Sequence, residues 1–347
     1  MTLLYILAFV LLCVALGYLF RVIELSRELK TEKEWVPTES DNRMMGRFFL
    51  VFVFVFISWS LYQIYQYGYK CLPKSASEHG LKVDELMKYN MYIIWFVFVA
   101  TNFVLFYFAW KYYGKKDRKA VFFAHDNKLE MLWTVVPALV LAFIIIFGLK
   151  YWNEIMDKST DEKAIKIELY SKQFDWTARY AGVDNAFGLD DYTQIDGGNS
   201  MGLDTTDKKC FDDIIVKNEI HVPVGKEVDF QFRSRDVIHS AFFPHFRAQM
   251  NCVPGQVTKF RFTPTITTAE MRKDEQVIRN MKEINAIRAA KGEDPFEFDY
   301  VLICNKICGV SHFNMQMKII VESEKDYKAW LAKQKAFKAP VAEAKKD

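Results

Sequence analysis

Four long runs without a charged residue constrain this chain more than any other feature. They cover residues 3–20, 48–69, 89–110 and 131–149. At about 1.5 Å of helix per residue, each run is long enough to cross or nearly cross a hydrocarbon core of about 30 Å. The pattern therefore predicts four membrane helices. For the first run a cleaved signal peptide is the alternative, but no Lys or Arg precedes Leu3 and no small-residue cleavage site follows, which favours a retained helix.

The Lys and Arg residues of the connecting segments predict the orientation of these helices. Residues 21–47 and 111–128 hold six each, whereas residues 70–88 hold four. Because segments rich in Lys and Arg stay inside, we expect both termini and everything after residue 150 outside. In a bacterium this means the inner membrane and a periplasmic domain. That oxidising compartment would allow Cys210 and Cys252 to pair, but their spacing is no evidence for a disulfide and isolated packing residues are the simpler interpretation.

After residue 164 the pattern changes from apolar runs to alternation. Every second residue is apolar in Ile165–Leu169, Val228–Phe232 and Met317–Val321. Alternation of this kind predicts half-buried strands, and several in about 160 residues predict a sandwich or barrel. Two segments interrupt it. Residues 181–217 are rich in Gly, Asp and Asn and are predicted to be a loop.

The second interruption, residues 267–292, predicts one long helix. It begins with the capping-box pair Thr267 and Glu270 and ends at a glycine. Its place in the chain suits either a cover for the segment that follows it or a surface for a partner, and the residues do not decide between the two.

That following segment, residues 304–315, holds a compact set of soft metal ligands. Cys304, Cys308, His312 and Met315 supply two thiols, an imidazole and a thioether. Soft donors select copper over zinc or magnesium. His239, at the end of a predicted strand, is the best candidate for a further ligand. A mononuclear blue-copper site takes one Cys, so the second thiol favours two copper ions bridged by both sulfurs, with one imidazole on each.

This set resembles the dinuclear copper A centre of cytochrome c oxidase subunit 2. The family motif C-x3-C-x3-H-x2-M matches Cys304, Cys308, His312 and Met315, and the upstream D-V-x-H-S matches residues 236–240. The resemblance implies a cupredoxin-like sandwich, a backbone carbonyl ligand from Lys306 and a weak axial Met315. His245 is a tempting extra ligand, but its aromatic neighbours favour a packed histidine.

Three further positions gain a meaning from the resemblance. Residues 130–137 resemble the family's E-x-x-W-T-x-x-P, so Glu130 is either an interfacial helix-start charge or the entrance of a proton pathway in the partner subunit. Phe174 stands where the family has a Trp that receives electrons. Trp176 fills the second position of that aromatic stretch, so the resemblance implies a place in the electron-entry region, and the alternative is an ordinary role in the core. Lys306 replaces a Glu that reaches magnesium in the family, so we expect no magnesium ligand from a side chain of this chain.

The expected architecture is a set of about four membrane α-helices followed by an all-β cupredoxin-like sandwich with a helical insertion. Residues 1–70 would be extra membrane helices beyond the family's usual two, in contact with lipid or a neighbouring subunit. Residues 89–152 would form the family's helical hairpin. Residues 163–324 would be the copper domain, with the insertion at 267–292, and residues 325–347 a Lys- and Ala-rich tail of a short helix and disorder.

The resemblance implies an electron-accepting subunit of a proton-pumping haem–copper oxidase. Electrons from a cytochrome c, free or as a haem c domain of a larger assembly, would pass to haem in subunit 1, where oxygen is reduced to water. Subunit 3 is a further expected partner. One alternative is the quinol-oxidase type of subunit, which lacks the copper ligands. Another is nitrous oxide reductase, which is soluble and carries a large propeller.

The charge pattern adds a weaker expectation about partners. Residues 153–231 hold 17 Asp and Glu against nine Lys and Arg, which suits a basic electron donor or simply a solvated loop. A cation site among four acidic residues of this region is weaker still, because their spacing matches no calcium loop; the four are Asp184, Asp190, Asp191 and Asp196. A formal charge of +3 gives no sign of a nucleic-acid partner, and no C-x-x-C-H motif for covalent haem is present.

Overall fold

The computed structural model describes residues 2–31, 36–156 and 163–337. These residues form seven α-helices and ten strands. The helices are α1 (Thr2–Thr31), α2 (Glu39–Tyr67), α3 (Glu78–Lys111), α4 (Asn127–Met156), α5 (Thr268–Met271), α6 (Glu275–Ala290) and α7 (Glu324–Leu331). The strands are β1 (Ile165–Lys172), β2 (Asp175–Tyr180), β3 (Ile214–Val216), β4 (Glu219–Pro223), β5 (Val228–Ser234), β6 (His239–Phe243), β7 (Ala248–Cys252), β8 (Thr258–Phe262), β9 (Tyr300–Cys304) and β10 (Gln316–Glu322).

The first four helices are long and apolar enough to cross a membrane. The four spans are Phe9–Ser26, Glu39–Lys70, Glu78–Lys111 and Asn127–Met156, and few or none of the described side chains in each span are buried. A helix that is apolar on all sides is stable only against lipid or another protein. The prediction of four membrane helices is confirmed.

The described residues divide into two compact units, one from residues 1–65 and 94–126 and the other from residues 66–93 and 127–347. In the first unit, α2 and α3 pack through aromatic rings. The Phe106 ring centroid lies 5.4 Å from that of Phe52, and Phe98 lies 6.0 Å from Phe56. Gly46 allows close approach, because a Cβ there would lie 3.2 Å from the Cα of Trp110. A side chain at position 46 would force these two helices apart.

In the second unit the strands form a sandwich of two five-stranded sheets. One sheet has the order β3-β2-β1-β5-β8 and the other β4-β10-β9-β6-β7. The alternation seen in the sequence is the pleat of these strands: in β5, Val228, Phe230 and Phe232 are buried between the sheets while the residues between them are partly exposed. The predicted all-β cupredoxin-like sandwich is confirmed, as is its helical insertion.

The insertion differs from the single helix that the sequence predicts. The capping box of Thr267 and Glu270 is present, but it starts only the short α5. The chain turns at Arg272–Asp274, and the Asp274 side chain accepts a hydrogen bond from the backbone N–H of Gln276 at 3.0 Å, which caps a second helix, α6. Two cap signals only seven residues apart produce two helices.

The acidic segment between β2 and β3 is anchored by a buried arginine. Arg179 is fully buried and contacts the carboxylates of Asp213 at 2.5 Å and Glu168 at 3.2 Å. It also donates to the carbonyl of Gly188 within the segment, at 2.8 Å. Burial raises the pKa of Asp213 to about 6, against the opposing effect of Arg179. This buried cluster holds the loop against the sheet.

The two cysteines considered for a disulfide are both free and buried. Cys210 belongs to a small apolar cluster with Tyr170, Met201 and Leu203, whereas Cys252 belongs to the main core. Burial raises their thiol pKa values to about 11 and about 12, respectively. They are isolated packing residues.

The C-terminal part of the described chain forms α7, which packs on the sandwich. Ser323 caps it by accepting a hydrogen bond from the N–H of Asp326 at 3.2 Å. The Trp330 ring stacks on His221 with centroids 4.1 Å apart. Residues 338–347 of the predicted tail lie outside the described residues.

Candidate metal centre

Two neighbouring strand ends bring the predicted ligands together. His239 is the first residue of β6 and Cys304 is the last residue of β9. The two strands pair antiparallel with Ala241 opposite Cys304. As a result His239 Nδ1 lies 3.7 Å from Cys304 Sγ, although 65 residues separate them in the chain.

The segment after Cys304 is a loop closed at both ends. The N–H of Asn305 donates to the Ser240 carbonyl at 2.9 Å, and the N–H of Cys304 donates to the Met315 carbonyl at 3.0 Å. At Gly309 the backbone has a φ of +138°. A Cβ there would lie 2.8 Å from the Phe174 ring, so only glycine fits.

Within this loop the donor atoms converge. The two sulfurs, Cys304 Sγ and Cys308 Sγ, are 3.8 Å apart. This separation is far longer than a disulfide bond of about 2.05 Å, so both thiols are free. Cys308 Sγ lies 3.6 Å from His312 Nδ1 and 3.9 Å from Met315 Sδ. Cys304 Sγ lies 3.2 Å from the Lys306 carbonyl oxygen.

The donors fall into two halves around the sulfur pair. His239 and the Lys306 carbonyl approach Cys304, whereas His312 and Met315 approach Cys308. All of the sequence-predicted ligands therefore meet at one place. Among the described residues, the only close group of three His, Cys, Asp or Glu donors is His239 with both cysteines, whose ligand atoms lie within 4.8 Å of one another. Soft sulfur and imidazole nitrogen in this number fit copper.

Asp236 orients the His239 ring. Its Oδ1 lies 2.9 Å from His239 Nε2, which assigns the proton to Nε2 and leaves the Nδ1 lone pair facing Cys304. Partial burial opposes ionisation of Asp236, but hydrogen bonds from the Gln173 N–H and from His239 hold the pKa of that carboxyl below its usual value. An ionised Asp236 is the acceptor that this tautomer requires.

The thiol of Cys308 is protonated at neutral pH before any metal binds. Burial, and then the neighbouring Cys304, raise its pKa to about 11. Because a metal takes the thiolate, loading this site releases a proton and becomes harder as the pH falls.

Gln173 joins the two ligand loops, and the sequence analysis missed it. Its side-chain amide donates to the Cys308 carbonyl at 2.5 Å, and its backbone N–H donates to Asp236 Oδ2 at 2.8 Å. One residue in the β1–β2 turn therefore touches both loops. The sequence signal that could have identified Gln173 is its position directly before Phe174 in the aromatic stretch. The sequence analysis singles out only Phe174 and Trp176 from that stretch.

The two aromatic residues of that stretch occupy different depths. Trp176 is buried, its Nε1 lies 3.5 Å from the Met315 carbonyl, and its ring centroid lies 6.3 Å from that of His239. Phe174 is half-buried and packs against Gly309. Trp176 therefore contacts the ligand residues from the core, whereas Phe174 is partly exposed at the surface.

The surface around the ligand loops is apolar. Ile307, Val310 and Phe313 are 87% to 89% exposed, and Val237 and Ile238 of the loop before β6 are also exposed. We call these five residues the apolar rim. Large apolar side chains this exposed are unusual unless another protein covers them.

The remaining sequence candidates lie elsewhere. Glu130 is in the first turn of α4. His245 packs between Phe298 and Tyr300, with ring centroids 5.1 and 5.3 Å away, and burial lowers its pKa to about 4.

The four acidic residues considered for a cation are engaged locally. Asp184, Asp191 and Asp196 each accept a backbone N–H two residues ahead, at 2.7 to 2.8 Å. Asp190 pairs with Arg233 at 2.7 Å. Three of these carboxylates close turns of the loop and the fourth pairs with an arginine, which argues against a cation site among them.

Comparison with known proteins adds two family models and several relatives. The model for the cytochrome C oxidase subunit II transmembrane domain matches residues 62–151, and that for the periplasmic domain matches residues 165–269. The second match stops at the insertion, so it does not include the loop of Cys304 to Met315. The ligand assignment therefore rests on the residues and their geometry.

Among the relatives is the alternative cytochrome c oxidase subunit 2 of Bradyrhizobium diazoefficiens. It is 31% identical over 256 residues, which is 74% of this chain and 81% of the relative. Cytochrome c oxidase subunit 2 of Cereibacter sphaeroides is 23% identical over 74% of this chain and 77% of its own length. That of Thermostichus vulcanus is 24% identical over 80% and 82%.

Proposed function

Because this chain belongs to the cytochrome c oxidase subunit II family, we propose that it holds a dinuclear copper A centre and is the electron-accepting subunit of its oxidase. The family is a component of haem–copper oxidases and implies a copper A centre. The observation that carries the proposal of two ions is the sulfur pair at 3.8 Å with a separate imidazole beside each sulfur.

In this proposal each side chain has one task. Cys304 and Cys308 would hold the copper ions as thiolates, with His239 and the Lys306 carbonyl as further ligands beside Cys304. His312 and Met315 would be the further ligands beside Cys308. When bound, the copper pair spreads the charge of one added electron over two metals and two sulfurs, so little bond rearrangement accompanies transfer.

The protein keeps this site rigid and mostly dry. His239, Cys304, Cys308 and Met315 are buried, and His239 is fixed by Asp236 on one side and the edge of Trp176 on the other. Ligands on strand ends move little when the charge changes. Met315, a weak thioether donor, would set the reduction potential.

The electron partners follow from what is exposed. We propose that a cytochrome c, or a haem c domain of a larger respiratory assembly, docks on part of the apolar rim beside Phe174. His312 is partly exposed and would pass the electron to haem in subunit 1, where oxygen is reduced and protons are pumped. Glu130 would face a proton pathway of that subunit. Subunit 3 completes the assembly.

Location and metal content complete the proposal. The helices α1 to α4 make this a membrane protein. We propose the bacterial inner membrane, with the sandwich in the periplasm. The Lys306 side chain is exposed and cannot coordinate a cation, so magnesium at an interface with subunit 1 would receive no side-chain ligand from this chain.

The quinol-oxidase type of subunit is the alternative within the family, and it lacks the copper ligands. The convergence of Cys304, Cys308, His239, His312 and Met315 argues against it. The membrane helices argue against nitrous oxide reductase.

Ligand variants of the purified full-length chain test the proposal. We expect Cys304→Ser to lose the near-infrared absorbance and the paramagnetic signal of the copper pair. Met315→Leu should keep both coppers and shift the absorbance, because only a weak donor is removed. Cys210→Ser is the matched control, since that thiol is equally buried but lies in another cluster. An unchanged spectrum in Cys304→Ser would refute the assignment.

A further inference from the structure

The loop between α2 and α3 is built into the sandwich. Ser75, Ala76 and Ser77 are buried. The N–H of Ala76 donates to the His245 carbonyl at 2.7 Å, and the Ala76 carbonyl accepts from the N–H of Thr265 at 2.8 Å. The loop therefore pairs with the turns that follow β6 and β8, like an added strand. It also lies on the same side of the membrane as the sandwich, as the Lys and Arg pattern predicts.

Arg247 ties the start of α3 to the same place. Its guanidinium donates to both carboxylate oxygens of Asp84, at 2.6 and 2.9 Å, and to the carbonyl of Pro73. Its side chain is 7% exposed. A bidentate pair with little access to water is stronger than a surface ion pair. At Gly80 a Cβ would lie 2.3 Å from Ser75 Oγ, so α3 and the loop are in direct contact.

Helix α6 contacts the other side of this loop through hydrogen bonds and ion pairs. Glu283 accepts from the Tyr69 hydroxyl at 2.8 Å and from Lys70 Nζ at 2.5 Å. The N-cap residue Asp274 pairs with Lys74 at 2.7 Å. Two more side chains of α6 complete the contact: the Gln276 amide donates to the carbonyls of Tyr69 and Leu72, and the Arg279 guanidinium lies 4.7 Å above the Tyr69 ring.

Of the two roles that the sequence left open for the insertion, a cover for the ligand loop or a surface for a partner, the structure argues against the first and shows a contact within the chain instead. The copper loop is not covered, because Ile307, Val310 and Phe313 remain nearly fully exposed. Polar side chains of α6 instead contact the loop that follows α2. The insertion thus contacts residues 69–74, which follow α2.

We infer that α6 and the α2–α3 loop form a brace, an interaction surface within the chain that fixes the copper-ligand sandwich to the ends of α2 and α3. An exposed ion pair by itself stabilises such a contact only weakly. The brace is effective because several such pairs act on one loop that is already hydrogen-bonded to the sandwich. That the braced domain carries copper rests on the proposed function; the brace itself does not.

Charge reversal at one pair tests the brace. In the full-length chain, Lys70→Glu and Glu283→Lys each place like charges together, and the double variant restores the pair in reverse. Amide hydrogen exchange in residues 70–79 reports release of the loop, because the Ala76 and Glu78 amides are hydrogen-bonded to the sandwich. We expect exchange about three- to tenfold faster in each single variant and near the original rate in the double variant.

The control is Lys226→Glu, which reverses a different exposed pair, that with Glu324 at 3.6 Å. It should leave exchange in residues 70–79 unchanged. The brace is contradicted if neither single reversal alters exchange there, if the control alters it equally, or if the double variant does not recover. The copper spectrum, read on the same samples, should be unchanged, so failure of the copper proposal would be visible separately.

Discussion

At the residue scale, two histidines of the sandwich show how surroundings set the role of one side chain. His239 is buried with a carboxylate on Nε2 and a thiol facing Nδ1, so its ring is oriented to bind a metal. His245 is packed between Phe298 and Tyr300, and its Nδ1 has no hydrogen-bond partner among the described residues. The first is organised for a metal ion, and the second is held neutral.

The neutral His245 predicts a pH dependence of stability. Its pKa is about 4 in the folded protein, lowered by burial, and about 6.5 when unfolded. As the pH falls from about 6.5 towards 4, the unfolded state gains a proton that the folded state does not, so stability is lost over this window, by at most about 3 kcal/mol. Replacement by Phe keeps an aromatic ring and removes the titration.

Denaturant unfolding of the detergent-solubilised chain between pH 7 and 4 checks this. His245→Phe should lose less stability on acidification than the original protein. Parallel pH profiles for the two proteins would contradict the prediction.

At the element scale, the proposed copper site is formed by two loops, and a third loop contacts both of them. The loop before β6 carries His239, the loop after β9 carries the cysteines, and the β1–β2 turn supplies Gln173, which contacts both. The Gln173 amide donates to the Cys308 carbonyl, so it fixes the loop next to the Cys308 sulfur. Its role is positioning, because it touches no proposed metal directly.

Gln173→Ala should therefore loosen the site without removing a ligand. One hydrogen bond of about 1 kcal/mol is lost, which corresponds to roughly fivefold faster loss of copper to a chelator. We also expect a shifted near-infrared absorbance and reduction potential. Gln249→Ala is the matched control, because the Gln249 side-chain amide donates to the Ser240 hydroxyl at 3.3 Å rather than to a ligand loop carbonyl. If both variants release copper at the same rate, the positioning role is wrong.

Elements also show how far sequence alone reaches. Apolar runs and period-two alternation predict the membrane helices and the sandwich because they report burial directly. The ligands are predicted because Cys, His and Met at this spacing have few other uses. Gln173 could not be found in this way, since its contacts depend on how a distant turn meets two loops. The break of the insertion into two helices at Asp274 was not predicted either, because the helical pattern continues on both sides of that residue.

At the scale of the whole molecule, the helical insertion contacts a loop that lies within the family's membrane domain. The loop that follows α2 is buried against the sandwich and forms ion pairs with α6. The sequence predicts the helical insertion but not its contact with this loop, because residues 69–74 and 274–283 are about 200 positions apart. These contacts all lie within the second compact unit, where they hold the loop that precedes α3 against the sandwich.

Copper content and electron paramagnetic resonance of the oxidised, purified full-length chain test the central claim most directly. We predict two copper ions per chain and a hyperfine pattern from one electron shared equally between two copper nuclei. A pattern from a single copper nucleus, or Cys304 and Cys308 found joined to each other without metal, would contradict it.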